Sequence, residues 1–287
     1  MSPTLVRHQL PNSGPLRCDR PPAPAGSRAR TRDWAEIQER MLVPLYEAAY
    51  DRLGIGPGTR LLGLGCGSGL ALLLAAARGA QVSGVDADES RLELARERLT
   101  PDGMPEHTQV VSGGPEAAAC GKAAFNVITA FHPVGCVSTV EGLTTSLTAA
   151  AGLAERGSAV VLGGWGPAER CTTAGVLRVA QRLADASADF RGSPGWRLSD
   201  RDDLEELADR AGLRPDGSGR VSCPFGYADM ASAVRGLLST GLFDPALEAA
   251  EQRQVEKELA EALHPYQRVD GTVWMPNVFR YLIARTR

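Results

Sequence analysis

The 287-residue sequence predicts an α/β fold: a Rossmann-like, mostly parallel sheet, with helices ahead of it and a helical insertion before the last strand. Three features carry that expectation. Thr59 to Asp86 reads as strand, glycine loop, helix, strand and terminal acid. Short apolar runs then alternate with helical segments along most of the remaining chain. Tyr227 to His264 reads as two helical segments ahead of a final strand-like run. Within the first feature, Arg60 to Leu64 is short and apolar. Gly65-Cys66-Gly67-Ser68-Gly69 follows at once, a loop that lets a ligand approach the main chain closely. Leu70 to Arg78 reads as a buried helix and Gln81 to Val85 as a second strand. Asp86 closes that strand about 20 residues beyond the loop, where a carboxylate can accept hydrogen bonds from ribose hydroxyls. Counting five residues on from Gly63, Gly65 or Gly67 gives Ser68, Leu70 or Leu72. The loop is therefore GxGxG and not the GxGxxG of dinucleotide binders, which disfavours a nicotinamide oxidoreductase.

Composition narrows the function classes. A net charge of −3 supplies no basic field for phosphate backbones, so nucleic acid is not expected as a substrate. Cys18, Cys66, Cys120, Cys136, Cys171 and Cys223 are scattered without a CxxC pair, and the histidines have no metal-ligand spacing. No signal peptide and no apolar run of about 18 residues is expected, so the chain reads as soluble and cytoplasmic, with no membrane partner.

Residues 1–31 are rich in proline and arginine and read as a flexible N-terminal arm; residues 32–287 read as the folded domain, with a helical lid over 227–264. Trp34, Ile37, Met41, Leu45, Tyr46, Ala49, Tyr50 and Leu53 recur at helical spacing, and Pro44 is expected to kink or split that helix. After Asp86, Asp88 or Ser90 can cap a helix through Leu99. A third strand is expected over Thr108 to Ser112 and a fourth over Ala124 to Phe131. A helix then runs from Thr139 to Glu155 and a fifth strand from Ser158 to Gly163. Helices over Thr172 to Ala186 and around DLEELADR, the latter capped by Ser199 or Asp200 and stopped at Gly212, precede a sixth strand at Arg220 to Cys223. The last strand, Thr272 to Ala284, contains Pro276 and suggests an edge or hairpin position.

The segment around GLGCGSG and Asp86 resembles motifs I and II of the class I S-adenosylmethionine-dependent methyltransferases, and the order of elements agrees over roughly residues 33 to 287. The pattern looks like the small-molecule enzymes of actinobacterial style that carry a helical insertion. The resemblance implies a seven-stranded sheet with an antiparallel last strand. It implies S-adenosylmethionine as cofactor, S-adenosylhomocysteine as product, a small-molecule acceptor, and a monomer or homodimer. Carried over position by position, Gly65, Cys66, Gly67, Gly69, Asp86, Ala87, Gly114, Pro115 and Phe131 are the cofactor-binding candidates. Acids usual in the family at three positions, aspartates at two of them, are replaced here by Gly63, Gly114 and Asn126; the change at Gly114 leaves the adenine edge to backbone, to Ser112 or to Glu116. His132, at the end of the fourth strand, is the candidate general base, since its ordinary pKa lies near neutrality. Trp34, Tyr50, His132 and Trp165 are the substrate-binding candidates, and Arg170 also stands at a strand's carboxyl end. The leading expectation is methyl transfer to a secondary metabolite. The alternative, prompted by the missing acids, is a methyltransferase-fold enzyme that keeps the cofactor unreacted and directs a cyclisation or rearrangement.

Overall fold

A computed structural model describes residues 25–99, 108–119, 124–131, 140–185 and 202–287. Among these residues a seven-stranded sheet runs in the order β3-β2-β1-β4-β5-β9-β6, and a separate two-stranded sheet pairs β7 with β8. The strands are β1 Arg60–Leu64, β2 Gln81–Asp86, β3 Gln109–Ser112, β4 Phe125–Ala130, β5 Ala154–Trp165, β6 Arg214–Ser222, β7 Phe225–Tyr227, β8 Val273–Met275 and β9 Val278–Arg285. The first five are mutually parallel, and β9 is antiparallel to both of its neighbours. This is the expected sheet with its antiparallel last strand.

The sheet has two apolar faces because its central strands are apolar throughout, as buried parallel strands are. On one face Leu61, Val82, Val110, Val127 and Val161 pack beneath helices α2 (Val43–Leu53), α3 (Leu70–Ala77) and α4 (Glu89–Leu99). On the other, Leu62, Val85, Ile128, Val160 and Leu282 pack beneath α5 (Pro115–Ala119), α6 (Val140–Gly152) and α8 (Asp203–Arg210). Past the sheet's carboxyl edge, α7 (Thr173–Asp185) packs against α10 (Asp244–Ala249) and α11 (Gln252–Leu263), while α9 (Met230–Leu238) meets the N-terminal turns. Helices α9 to α11 are the expected insertion, placed between β7 and β8.

The helix expected to reach Glu155 ends at Gly152 and β5 already begins at Ala154, and four further differences have identifiable physical reasons. Helix α1 spans Ala25–Asp33, so the stretch expected to end an arm is helical from Ala25, with Arg30 bonded to Asp244. The helix expected over 34–53 is a π-helical turn at Trp34–Gln38, a 3₁₀ turn at Glu39–Leu42, then α2. Pro44 sits in the first turn of α2, where its missing N–H costs nothing. Strand β6 begins six residues early, at Arg214; its Pro-Asp-Gly composition reads as a turn, yet antiparallel pairing to β9 holds it extended. The last strand is not at an edge. Pro276 and Asn277 break it into β8 and β9, and β9 lies between β5 and β6. Asn277 holds the break: its amide donates to Met275 O at 3.2 Å, its side-chain oxygen accepts Thr173 N at 3.1 Å, and its carbonyl accepts Cys223 N at 2.9 Å.

Candidate functional site

The glycine loop is tied down from three directions. Cys66 N–H donates to Val85 O at 3.0 Å, which binds the loop to β2, and Gly69 N–H donates back to Cys66 O at 3.0 Å. Gly67 N–H donates to Asp86 Oδ2 at 2.8 Å, and Asp88 N–H donates to Asp86 Oδ1 at 2.9 Å. Gly67 and Gly69 have φ of 57° and 81°, the left-handed region that glycine enters without penalty. Gly69 is needed for closeness as well, because a Cβ there would stand 2.9 Å from Ala95 Cβ on α4. A carboxylate offers about four acceptor positions. Two are used by these amides, so Asp86, though buried, keeps acceptor capacity at the carboxyl end of β2. Its strand ends level with β3, Asp86 standing in register with Ser112. Asp88, not Ser90, caps α4, accepting Ser90 N–H at 2.9 Å.

The three positions that lack an acid each have a local cause. Gly63 and Gly84 face one another in adjacent strands, and the Leu72 side chain sits on both. A Cβ at Gly63 would come 2.9 Å from Leu72 Cδ2, and one at Gly84 2.5 Å from Leu72 Cδ1. At Gly114 a Cβ would lie 2.7 Å from Glu116 Oε2, so the Glu116 carboxylate already stands where a side chain at 114 would begin. Asn126 is at the opposite end of its strand from the loop. Its Oδ1 accepts Arg60 N at 2.8 Å and its Nδ2 donates to Gly58 O at 3.0 Å, a pair of bonds that an aspartate could not make.

A cover formed by the π and 3₁₀ turns lies against the loop. Glu39 is 2% exposed; its carboxylate accepts from Ser68 Oγ and, at 2.8 Å, from Arg98 Nη1. Arg98 also donates to Ser68 O at 3.1 Å and to Ala35 O at 3.0 Å, and the Arg91 guanidinium stands 5.6 Å from the Trp34 ring centre. Burial raises the Glu39 pKa, and it outweighs the opposing effects of Ser68 and Arg98. Sequence periodicity missed Glu39 because a π turn takes one extra residue and rotates the following side chains relative to an α-helical count. No local signal singles it out, since Glu36, Gln38 and Arg40 are polar neighbours in the same stretch. Burial, with the Asp86 and Glu39 charges behind it, pushes the Cys66 thiol up as well, so that group is inert packing beneath the loop.

The predicted residues separate into groups. Gly65, Cys66, Gly67, Gly69 and Asp86 converge at the carboxyl ends of β1 and β2. Exposed Ala87 follows Asp86, and Gly114 with buried Pro115 opens α5 beside it. Phe131 is buried between Tyr46 and Tyr50, at ring-centre distances of 4.8 and 5.7 Å. Tyr50 is locked as packing, its hydroxyl donating to Ala71 O at 2.9 Å, and Trp34 is buried under Arg91. Trp165 lies in the same core but has other ring partners, 4.4 Å from Phe279 and 5.8 Å from Phe225 by ring centres. His132 lies outside the described residues, as do residues 1–24.

Residues 61–155 match the family described as "Methyltransferase domain". A curated relative, the ubiquinone biosynthesis O-methyltransferase of Azoarcus sp. (strain BH72), is 36% identical over 103 residues, which are 36% of this chain and 42% of that protein. The matched segment thus spans less than half of the relative's length. Among solved structures, the YcgJ protein from a Bacillus superposes with a TM-score of 0.53 at 17% identity, covering 87% of this chain and 99% of that one. The cyclase SpnF does so with a TM-score of 0.51 at 14% identity, covering 84% and 81%. These two likenesses are of fold. Residues 61–155 thus match a methyltransferase domain in sequence, and the strand order is that of the Rossmann-like class I methyltransferase fold.

Proposed function

We propose that the chain transfers the methyl group of S-adenosylmethionine to a small-molecule acceptor, releasing S-adenosylhomocysteine. The carrying observation is the Asp86 carboxylate, fixed by the amides of Gly67 and Asp88 with acceptor positions left over. Those acceptor positions fit the hydroxyls of a ribose diol. In this reading the loop from Gly65 to Gly69 lines the amino-acid end, Asp86 with Ala87 holds the ribose, and Gly114, Pro115 and Glu116 border the adenine. Glu116 takes over the amino-group contact usual at 114. Phe131 closes the face towards β4. The bound cofactor supplies an activated sulfonium methyl; the chain's own task is alignment, in which orientation alone is worth several kcal/mol. His132 is the proposed acceptor of the substrate's proton, and Trp34, Tyr50 and Trp165 hold the walls from behind. A cytoplasmic enzyme of secondary metabolism, monomeric or homodimeric, under a lid of residues 227–264, is the setting we infer.

A second reading has one observation in its favour. With Leu72 over Gly63, no strand β1 carboxylate can meet the cofactor's ammonium. A fold that keeps the cofactor as a fixed positive charge and steers a cyclisation would tolerate this, and SpnF, similar in fold, is described as a cyclase. Calorimetry with S-adenosylhomocysteine, followed by mass spectrometry of the small molecule that copurifies, tests both. A gain of one methyl group supports transfer and an isomer supports cyclisation. Absence of nucleoside binding removes both readings.

A further inference from the structure

A cavity of about 850 Å³ opens at the carboxyl edge of the sheet, beyond β5, β9 and β6. Its walls come from the 3₁₀ turn Ala168–Arg170, the start of α7, the ends of β6 and β9, and Tyr266, which follows α11. None of the residues assigned to the nucleoside seat lines it. Three arginines do: Arg170, Arg178 and Arg220, against one acid, Glu169. Among the described residues none of the three arginines has a carboxylate partner, in a chain whose net charge is negative. All three are exposed and open on the same cavity, which gives an entering anion a positive wall.

The geometry is more specific than a charge count. A Cβ added at Gly175 would stand 3.5 Å from Arg178 Nη2 and 3.6 Å from Tyr266 Oη. Two hydrogen-bond donors therefore converge over a bare stretch of helix that carries no side chain, and neither makes a hydrogen bond among the described residues. Thr172 and Ser222 line the same cavity. A planar guanidinium fork with a phenolic O–H beside it is suited to the oxygens of a carboxylate or phosphate.

We propose that Arg170, Arg178, Arg220 and Tyr266 form a binding site for an anionic group, a carboxylate or a phosphate, carried by the methyl acceptor. The acceptor part of this statement rests on the methyl-transfer reading; the anion site itself does not. The cavity is bordered by β9, two strand spacings from β4, or about 10 Å along the sheet edge. The acceptor is accordingly an elongated acid, anchored at one end. Tyr266 follows directly on α11, so the inserted helices set one wall of the site.

The test is calorimetry on the full chain at fixed ionic strength, with inorganic pyrophosphate and glutarate as separate probes and S-adenosylhomocysteine titrated independently. One probe is expected to bind, and which one tells phosphate from carboxylate. Arg178→Ala combined with Arg220→Ala is expected to weaken it about tenfold or more, Tyr266→Phe to weaken it several-fold, and Glu169→Gln to strengthen it. S-adenosylhomocysteine affinity should not change in any of them. Arg178→Lys with Arg220→Lys guards against misfolding: it keeps the charge but loses the fork, and should fall between parent and alanine variants. Failure of both probes to bind, or equal binding by parent and alanine variant, overturns the site. Loss of S-adenosylhomocysteine binding in the parent with anion binding intact would instead remove the methyl-transfer reading and leave this site standing.

Discussion

The Asp86 carboxylate accepts the main-chain N–H of Gly67 at 2.8 Å, so the acid that closes the second strand also fixes the loop that follows the first. Asp86→Ala should therefore fail in two ways. S-adenosylhomocysteine affinity should fall at least tenfold, about 1.4 kcal/mol or more, by calorimetry. Stability should fall by about 1–3 kcal/mol, because a buried amide loses its acceptor. Unchanged affinity in a folded Asp86→Ala protein would refute the nucleoside seat.

The Glu116 carboxylate occupies the space above Gly114, and under the proposed reading adenine selectivity falls to it. Parent protein should prefer S-adenosylhomocysteine over its inosyl analogue, which lacks the amino group, by roughly one hydrogen bond to a charged group, about 1.5–3 kcal/mol. Glu116→Ala should bind both nearly alike. A preference that survives the substitution would return the contact to the backbone or to Ser112.

Glu39 is a buried carboxylate with a raised pKa, and the sign of its linkage follows. Above its unfolded pKa, at which the unfolded state has lost the proton, the native state still binds it, so stability declines as pH rises from about 4.5 through the raised value. Subtracting the melting profile of Glu39→Gln from that of the parent should isolate this slope. A flat difference between pH 4 and 8 would contradict the burial of a charge at this position.

Leu72 covers both Gly63 and Gly84. Gly63→Asp, which would restore the family's residue, should destabilise by about 2 kcal/mol or more, since it inserts a carboxylate against Leu72 Cδ2. Gly152→Ala, where nothing lies within 4 Å of the added carbon, should be neutral or stabilising by about 0.5 kcal/mol. Thermal melts of the two proteins decide. Equal melting temperatures would mean that α3 yields more readily than its packing indicates.

The parts of this architecture that follow from short-range chemistry were legible in the sequence. The loop, Asp86, the parallel strands and the glycine stop after α8 depend on residues near one another in the chain, and their spacing survives folding. Contacts across long separations were not. Asn126 was read with the family's acids, yet it bonds the start of β1 at Arg60 and the turn before it at Gly58; Trp165 was read as facing a ligand, yet Phe225 and Phe279 enclose it. The Glu39 network was hidden by the π turn. The edge reading of the last strand failed because Pro276 marks a break before β9 and says nothing of which strands β9 joins.

That placement of β9 bears on how the molecule is made. Val278–Arg285 comes later in sequence than every other described strand, yet it is the wedge that joins β5 to β6. During vectorial synthesis the earlier strands can assemble as the ribosome proceeds, while Arg214–Ser222 waits with no neighbour until the final strand emerges. Nascent chains halted before that point should expose an unzipped half-sheet to chaperones, and the emergence of Val278–Arg285, not nucleoside capture, is the event that seals it.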